Sequence, residues 1–254
     1  MPLTEIIPRS LQEEVREILQ PYLREVKELF GPMLEAVILY GSAARGEYLP
    51  GRSNINLVLL LQEHNLAALQ RYARAHRRWT REQIVVPLFL TEGDIRVSLD
   101  TFPLEYLELK EHHVSLMGQD PFLHLQIDSR HLALQCEQEA WGNLMRLRQR
   151  FVEGRGETEA AVILMPLSLT ALLPCLRGLF RLLGVPFQGS TDALLAELPS
   201  RLKIDSAAFQ EVWRLKRGII TPGPLEIPRL FESYLMALQA VVDRIDHLRA
   251  EGRI

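Results

Sequence analysis

Between Leu39 and Leu61 the chain reads LYGSAARGEYLPGRSNINLVLLL, and the residues best suited to chemistry fall there. An apolar run ends at Gly41-Ser42, a loop of small and polar residues follows, and a second apolar run opens on Asn54-Ile55-Asn56. In a strand alternate residues share a face, so Asn54 and Asn56 project together while Ile55 points into the core. Gly41 lets the backbone approach a phosphate closely, and Ser42 can cap the next turn or donate to an anion. The two carboxamides also have a structural role that comes before any chemical one. Asn at a strand start commonly satisfies backbone amides in an Asx turn.

The flanking sequence supplies the elements that would hold these residues. Ser10 and Glu13 read as a capping box, opening a helix with apolar positions at Leu11, Val15, Ile18, Leu19, Val26 and Leu29. That helix is expected to kink at Pro21 and stop at Gly31-Pro32. Ala36–Tyr40 and Ile55–Leu61 read as buried strands, Asn65–Arg78 as a helix with a basic face, and Ile84–Leu90 as a third strand. Pro87 puts this third strand at an edge or on a bulge. Thr91 is the expected cap of a short helix with Glu92 and Asp94 in its first turn. Phe102–Leu109 reads as a fourth strand. After Gly118 the pattern is helical throughout: Leu125–Phe151, then Glu157–Leu183 broken by Pro166 and Pro174, then Thr191–Leu198, a helix capped by Asp205, and Leu230–Ala250. The expected organisation is therefore a mixed α/β domain over 1–120 and a helical bundle over 121–254.

An apolar strand, Gly-Ser, a loop with Arg-Gly and then Ser before a polar-x-polar strand start resembles the nucleotidyltransferase fold of the polymerase β superfamily, especially its minimal and kanamycin-type bacterial members. Gly41, Ser42, Arg45, Gly46 and Ser53 stand in the family's order. The resemblance covers about residues 33–120. It implies an α+β nucleotidyltransferase-like domain, a mixed sheet with flanking helices, followed by an all-α bundle. It also implies a nucleotide-binding set of Gly41, Ser42, Arg45, Ser53, Asn54 and Asn56. The family's third carboxylate sits on a later strand, and Glu105, with Glu108 second, is the matching acid if Pro103–Leu109 is that strand.

The departure from the family bears directly on function. Where the family has Asp-x-Asp, this chain has Asn54-Ile55-Asn56. In the family those carboxylates hold two magnesium ions that orient the triphosphate and activate the acceptor hydroxyl. Mg²⁺ is a hard cation that favours charged oxygen. At an effective dielectric of ~20, each charge lost at ~4 Å removes roughly 4 kcal/mol per unit cation charge before solvent compensates. The resemblance thus implies a nucleotidyltransferase-like protein without metal-dependent catalysis and with no cofactor, keeping a nucleotide- or anion-binding or protein-interaction role. The alternative is an active transferase moving a nucleoside monophosphate from a nucleoside triphosphate to a hydroxyl acceptor, with magnesium held by Glu47, Glu105 or Glu108.

Composition closes off other classes. The chain has 254 residues, 47% hydrophobic and 24% charged, which excludes disorder and rods. Net charge is −3, and the first 120 residues carry 13 basic and 17 acidic side chains. Neither half has the basic footprint of a protein whose main partner is nucleic acid. Cys136 and Cys175 are too few for a disulfide framework or structural zinc and read as inert packing in a reducing, cytoplasmic protein. The apolar stretch Ala160–Leu176 falls short of a membrane span and reads as a buried bundle helix.

The remaining polar clusters read more simply. His112-His113 cannot easily share one zinc ion, because adjacent residues point to different sides. The run Arg71, Arg74, Arg77, Arg78 and Arg81 reads as a solvated helical face. Arg146, Arg148 and Arg150 lie on a long helix and could reach an anion. The final Leu-rich helices could form a homodimer surface.

Overall fold

The computed structural model describes residues 6–254. It divides into two compact units, one running to Phe102 and resuming over Tyr106–Gln126, the other comprising Pro103–Glu105 and Ile127–Ile254.

The first unit is a four-stranded mixed sheet in the order β3-β2-β1-β4, with β1 at Leu34–Tyr40, β2 at Asn56–Leu61, β3 at Leu88–Leu90 and β4 at His113–Gly118. β1 pairs antiparallel with β2 and β4, while β2 and β3 run parallel. Val37, Leu39, Leu57, Leu59 and Leu61 point to one face. There they form a core with Val15, Leu19, Tyr22, Leu23 and Val26 of α1 (Glu13–Phe30) and Ala68 and Tyr72 of α2 (Leu66–Trp79). Several punctuation signals hold. Gly31, at φ +54°, follows the last residue of α1. Asn65 caps α2 by accepting from the Ala68 amide at 3.1 Å. Thr91 and Asp94 close a reciprocal capping box on α3 (Glu92–Ser98). Pro87 lies on the edge strand side, where pairing slips by one residue between Ile55↔Ile84 and Val58↔Leu88.

Three expectations are corrected. Ser10 and Glu13 form no capping box: α1 begins at Glu13 with Gln12 at its cap position, and Gln12 reaches the backbone of Tyr48 instead. Pro103–Leu109 is not a strand but most of α4 (Pro103–Glu111). Pro103 takes the first helical position, where its missing N–H costs nothing, and Leu104, Tyr106, Leu107 and Leu109 are all buried. The fourth strand is β4, which follows this helix directly.

The second unit contains α5 (Ser129–Glu153), α6 (Thr158–Leu182), α7 (Thr191–Arg201), α8 (Ala207–Arg217) and α9 (Ile227–Ala250). The third correction is in α6, which runs unbroken through Pro166 and Pro174. Burial of Met165, Leu169, Leu172, Leu176 and Leu179 outweighs the two lost backbone bonds, and Thr170 Oγ1 donates to the Pro166 carbonyl at 2.7 Å. At 25 residues α6 is also long and apolar enough to cross a membrane, the one such helix among the described residues. It packs here as the central helix of the bundle, against α5, α8 and α9. A buried polar chain ties three helices together: Tyr234 donates to Ser168 Oγ, which donates to Asn143 Oδ1, while Asn143 Nδ2 donates to the Ser168 carbonyl.

Candidate functional site

The Gly-Ser pair follows β1 directly. Gly41 has φ +77°, a conformation that L side chains rarely adopt. Residues 42–46 then make one helical turn closed in the Schellman manner: Glu47 N–H donates to Ser42 O at 2.8 Å and Gly46 N–H to Ala43 O, with Gly46 left-handed at φ +72°. The Ser42 hydroxyl makes no hydrogen bond among the described residues, so it does not cap this turn.

Beyond the turn the loop is pinned at three points. Gln12 on the approach to α1 grips Tyr48 with both ends of its carboxamide, accepting from the amide at 2.9 Å and donating to the carbonyl at 3.1 Å. Ser53, 6% exposed, accepts from the Leu49 amide at 3.1 Å. Arg45 donates through Nε to Glu47 at 3.2 Å and through Nη1 to Glu108 at 3.0 Å. All three of these charged side chains are only 13–14% exposed. Ser53 and Arg45, expected at the nucleotide, are engaged here in shaping the loop.

The Asn pair sits as the strand period requires. Ile55 is fully buried, Asn54 is exposed and Asn56 is half-buried. Neither carboxamide closes an Asx turn. Asn56 Nδ2 instead donates weakly to the Asn54 carbonyl at 3.4 Å, and the Asn54 side chain has no partner among the described residues. Asn56 pairs across β1 with Tyr40, and Tyr40 pairs across β4 with His113. Register partners share a face, so Asn56, Tyr40 and His113 form a row on the side of the sheet away from α1 and α2. His113 Nε2 lies 3.0 Å from Asp120 Oδ2. The sequence gives no warning of this row, because it depends on the register of β4.

The acids expected as metal ligands are engaged with other side chains. Neither β3 nor β4 contains a carboxylate. Glu105 is exposed on α4, where Gln135 Nε2 donates to it at 2.7 Å and Gln135 Oε1 accepts from Leu104 N–H. Glu105 thus joins α4 to α5 rather than standing on a strand. Glu108, the second choice, is bound to Arg45. Among the described residues no three His, Cys, Asp or Glu side chains converge as metal ligands. The residues present therefore do not fit a magnesium pair: Asn54 and Asn56 offer neutral carboxamides, whereas Mg²⁺ favours charged oxygen.

A family model for the nucleotidyltransferase domain matches residues 19–117. The chain carries a nucleotidyltransferase domain. The match begins at Leu19 within α1, takes in the whole of β1, β2 and β3 and the Gly41–Gly46 turn, and ends at Met117 within β4, leaving α5–α9 outside it. No curated protein matches the chain.

The other expected groups are placed as follows. The basic face of α2 is exposed, with Arg78 paired to Glu25 and stacked over Trp79. Arg146 pairs with Glu139 and Arg148 donates to Gln239, both within the bundle. Cys136 and Cys175 face one another across α5 and α6, each thiol directed at the other's carbonyl. The hydrogen bond to Cys175, with burial, raises the Cys136 pKa well above its usual value.

Proposed function

We propose that the nucleotidyltransferase domain has lost metal-dependent transfer and binds a nucleotide or another anion without magnesium, as a binding or interaction module. The reading is carried by the resemblance, which sets Asn54 and Asn56 against the family's paired carboxylates, and it is supported by the lack of any acid on β3 or β4. The row of Asn56, Tyr40 and His113, with Ser42 on the preceding turn, offers hydrogen-bond donors and acceptors rather than cation ligands. The acids expected to serve an active transferase, Glu47, Glu105 and Glu108, are already held by Arg45 or Gln135. The two buried thiols fit a reducing, cytoplasmic setting.

Titration calorimetry with ATP, run with and without magnesium, tests the proposal. The expected result is the same weak affinity in both. Binding at least about tenfold tighter with magnesium, or release of pyrophosphate in the presence of a hydroxyl acceptor, overturns it.

A further inference from the structure

We propose that the chain forms a two-fold symmetric dimer by antiparallel pairing of α5 with α5 of a second copy. The helix buries Leu132, Ala133, Cys136, Ala140, Leu144 and Leu147 against its own bundle. On the opposite side it presents Leu134 (46% exposed), Trp141 (38%), Met145 (53%) and Val152 (74%) to solvent. A surface helix that already buries one face normally carries charge on the other. Together with Gln138 and Arg148, these residues recur at alternating intervals of four and three, the rhythm of a coiled-coil seam. The seam runs about 27 Å along the helix.

Its sequence is also self-complementary. Leu134 and Val152 lie nine residues on either side of Asn143, Gln138 and Arg148 five, and Trp141 and Met145 two. A two-fold axis beside Asn143 therefore sets Leu134 against the second copy's Val152 position, Gln138 against its Arg148 position and Trp141 against its Met145 position. Parallel pairing would set Arg148 against itself. Charge follows the same symmetry, with Glu137 and Glu139 in the N-terminal half and Arg146, Arg148 and Arg150 in the C-terminal half. Glu137 and Arg148 each already contact α9, through Arg249 and Gln239, so both are held on the same flank of the seam. At the C-terminal end the seam continues into an apolar cleft of about 400 Å³ lined by Arg148, Phe151, Val152, Phe231 and Leu235. This cleft lies where Leu134 of the second copy arrives. The occupant is thus a second copy of this chain.

Light scattering and sedimentation of the full chain test the proposal. The expected mass at micromolar concentration is twice 29.1 kDa. Trp141→Glu with Met145→Glu should be monomeric with an unchanged circular dichroism spectrum, since both side chains are exposed. Mixing a Trp141→Cys copy with a Met145→Cys copy under mild oxidation should give mainly the mixed disulfide. A monomeric wild type, a dimer that survives the double Glu substitution, or a predominance of the two self-paired disulfides each overturns the proposal. So does a monomer that floats with phosphatidylcholine vesicles, which would make the seam a membrane surface.

Discussion

The carboxamide of Asn56 lies over Gly41 so closely that a Cβ on residue 41 would stand 2.9 Å from Asn56 Nδ2. The turn after β1 and the start of β2 are therefore one unit, and Gly41→Ala separates two effects within it. The contact itself is with the end of a side chain that can rotate away, whereas the φ of +77° cannot be relieved locally. The variant should lose about 1–2 kcal/mol of stability, measured by denaturant unfolding. The Asn56 side-chain amide resonances should shift in the same variant.

Arg45 bridges Glu47 and Glu108, donating to the first at 3.2 Å and to the second at 3.0 Å. Arg45→Ala leaves two carboxylates facing a space from which their shared guanidinium is gone. With each group about one-seventh exposed, the loss should be about 2 kcal/mol, below the range for fully buried pairs. Arg45→Lys keeps the charge but cannot span both acids with one fork, so it should fall midway. Thermal unfolding of the two variants beside wild type checks the order.

How much of this was readable depends on whether a signal is local. Thr91 and Gly31 act within four residues of themselves, and their cap and stop were legible. Gly41-Ser42 and Asn54-x-Asn56 were legible as a spaced motif, and the family match covers them. The segment Phe102–Leu109 was misread because its apolar residues suit a strand's alternation as well as a short helix buried all round. β4 was missed because HVSLMG carries little strand signal and is fixed by pairing with β1, some 75 residues earlier. The same dependence hid the placement of His113 beside Tyr40. Ser10 and Glu13 have the spacing of a capping box, but Gln12 is drawn to Tyr48, a partner 36 residues away.

Three buried phenols set the alkaline limit of stability. Burial is the main cause that raises the pKa of Tyr22, Tyr72 and Tyr234, with the neighbouring Tyr72 adding to the shift at Tyr22. Each holds its proton in the folded chain at a pH where the unfolded chain has lost it. Their contribution is therefore complete below about pH 10 and falls as pH rises above it. Stability should drop by about 4 kcal/mol in all between pH 9 and 11, and Tyr22→Phe should reduce that drop by about a third. Unfolding titrations between pH 9 and 11 (about one unit either side of the free phenol value) measure it.

Asn54→Asp with Asn56→Asp tests whether charge alone separates this strand start from a metal site. The replacement changes little in the fold: Asn54 has no side-chain partner among the described residues, and Asn56 gives up the 3.4 Å bond to the Asn54 carbonyl. The cost should be within about 1 kcal/mol. The gain is two carboxylates, one at residue 56, the first of β2, and one two residues before it. Mg²⁺ takes such ligands readily and completes its shell with water. The double variant should therefore show a magnesium-dependent rise in unfolding temperature that wild type lacks. Because β3 and β4 still supply no acid, nucleotidyl transfer should not return with it. A folded double variant that ignores magnesium would mean that residues 54 and 56 do not present their side chains to a common ion.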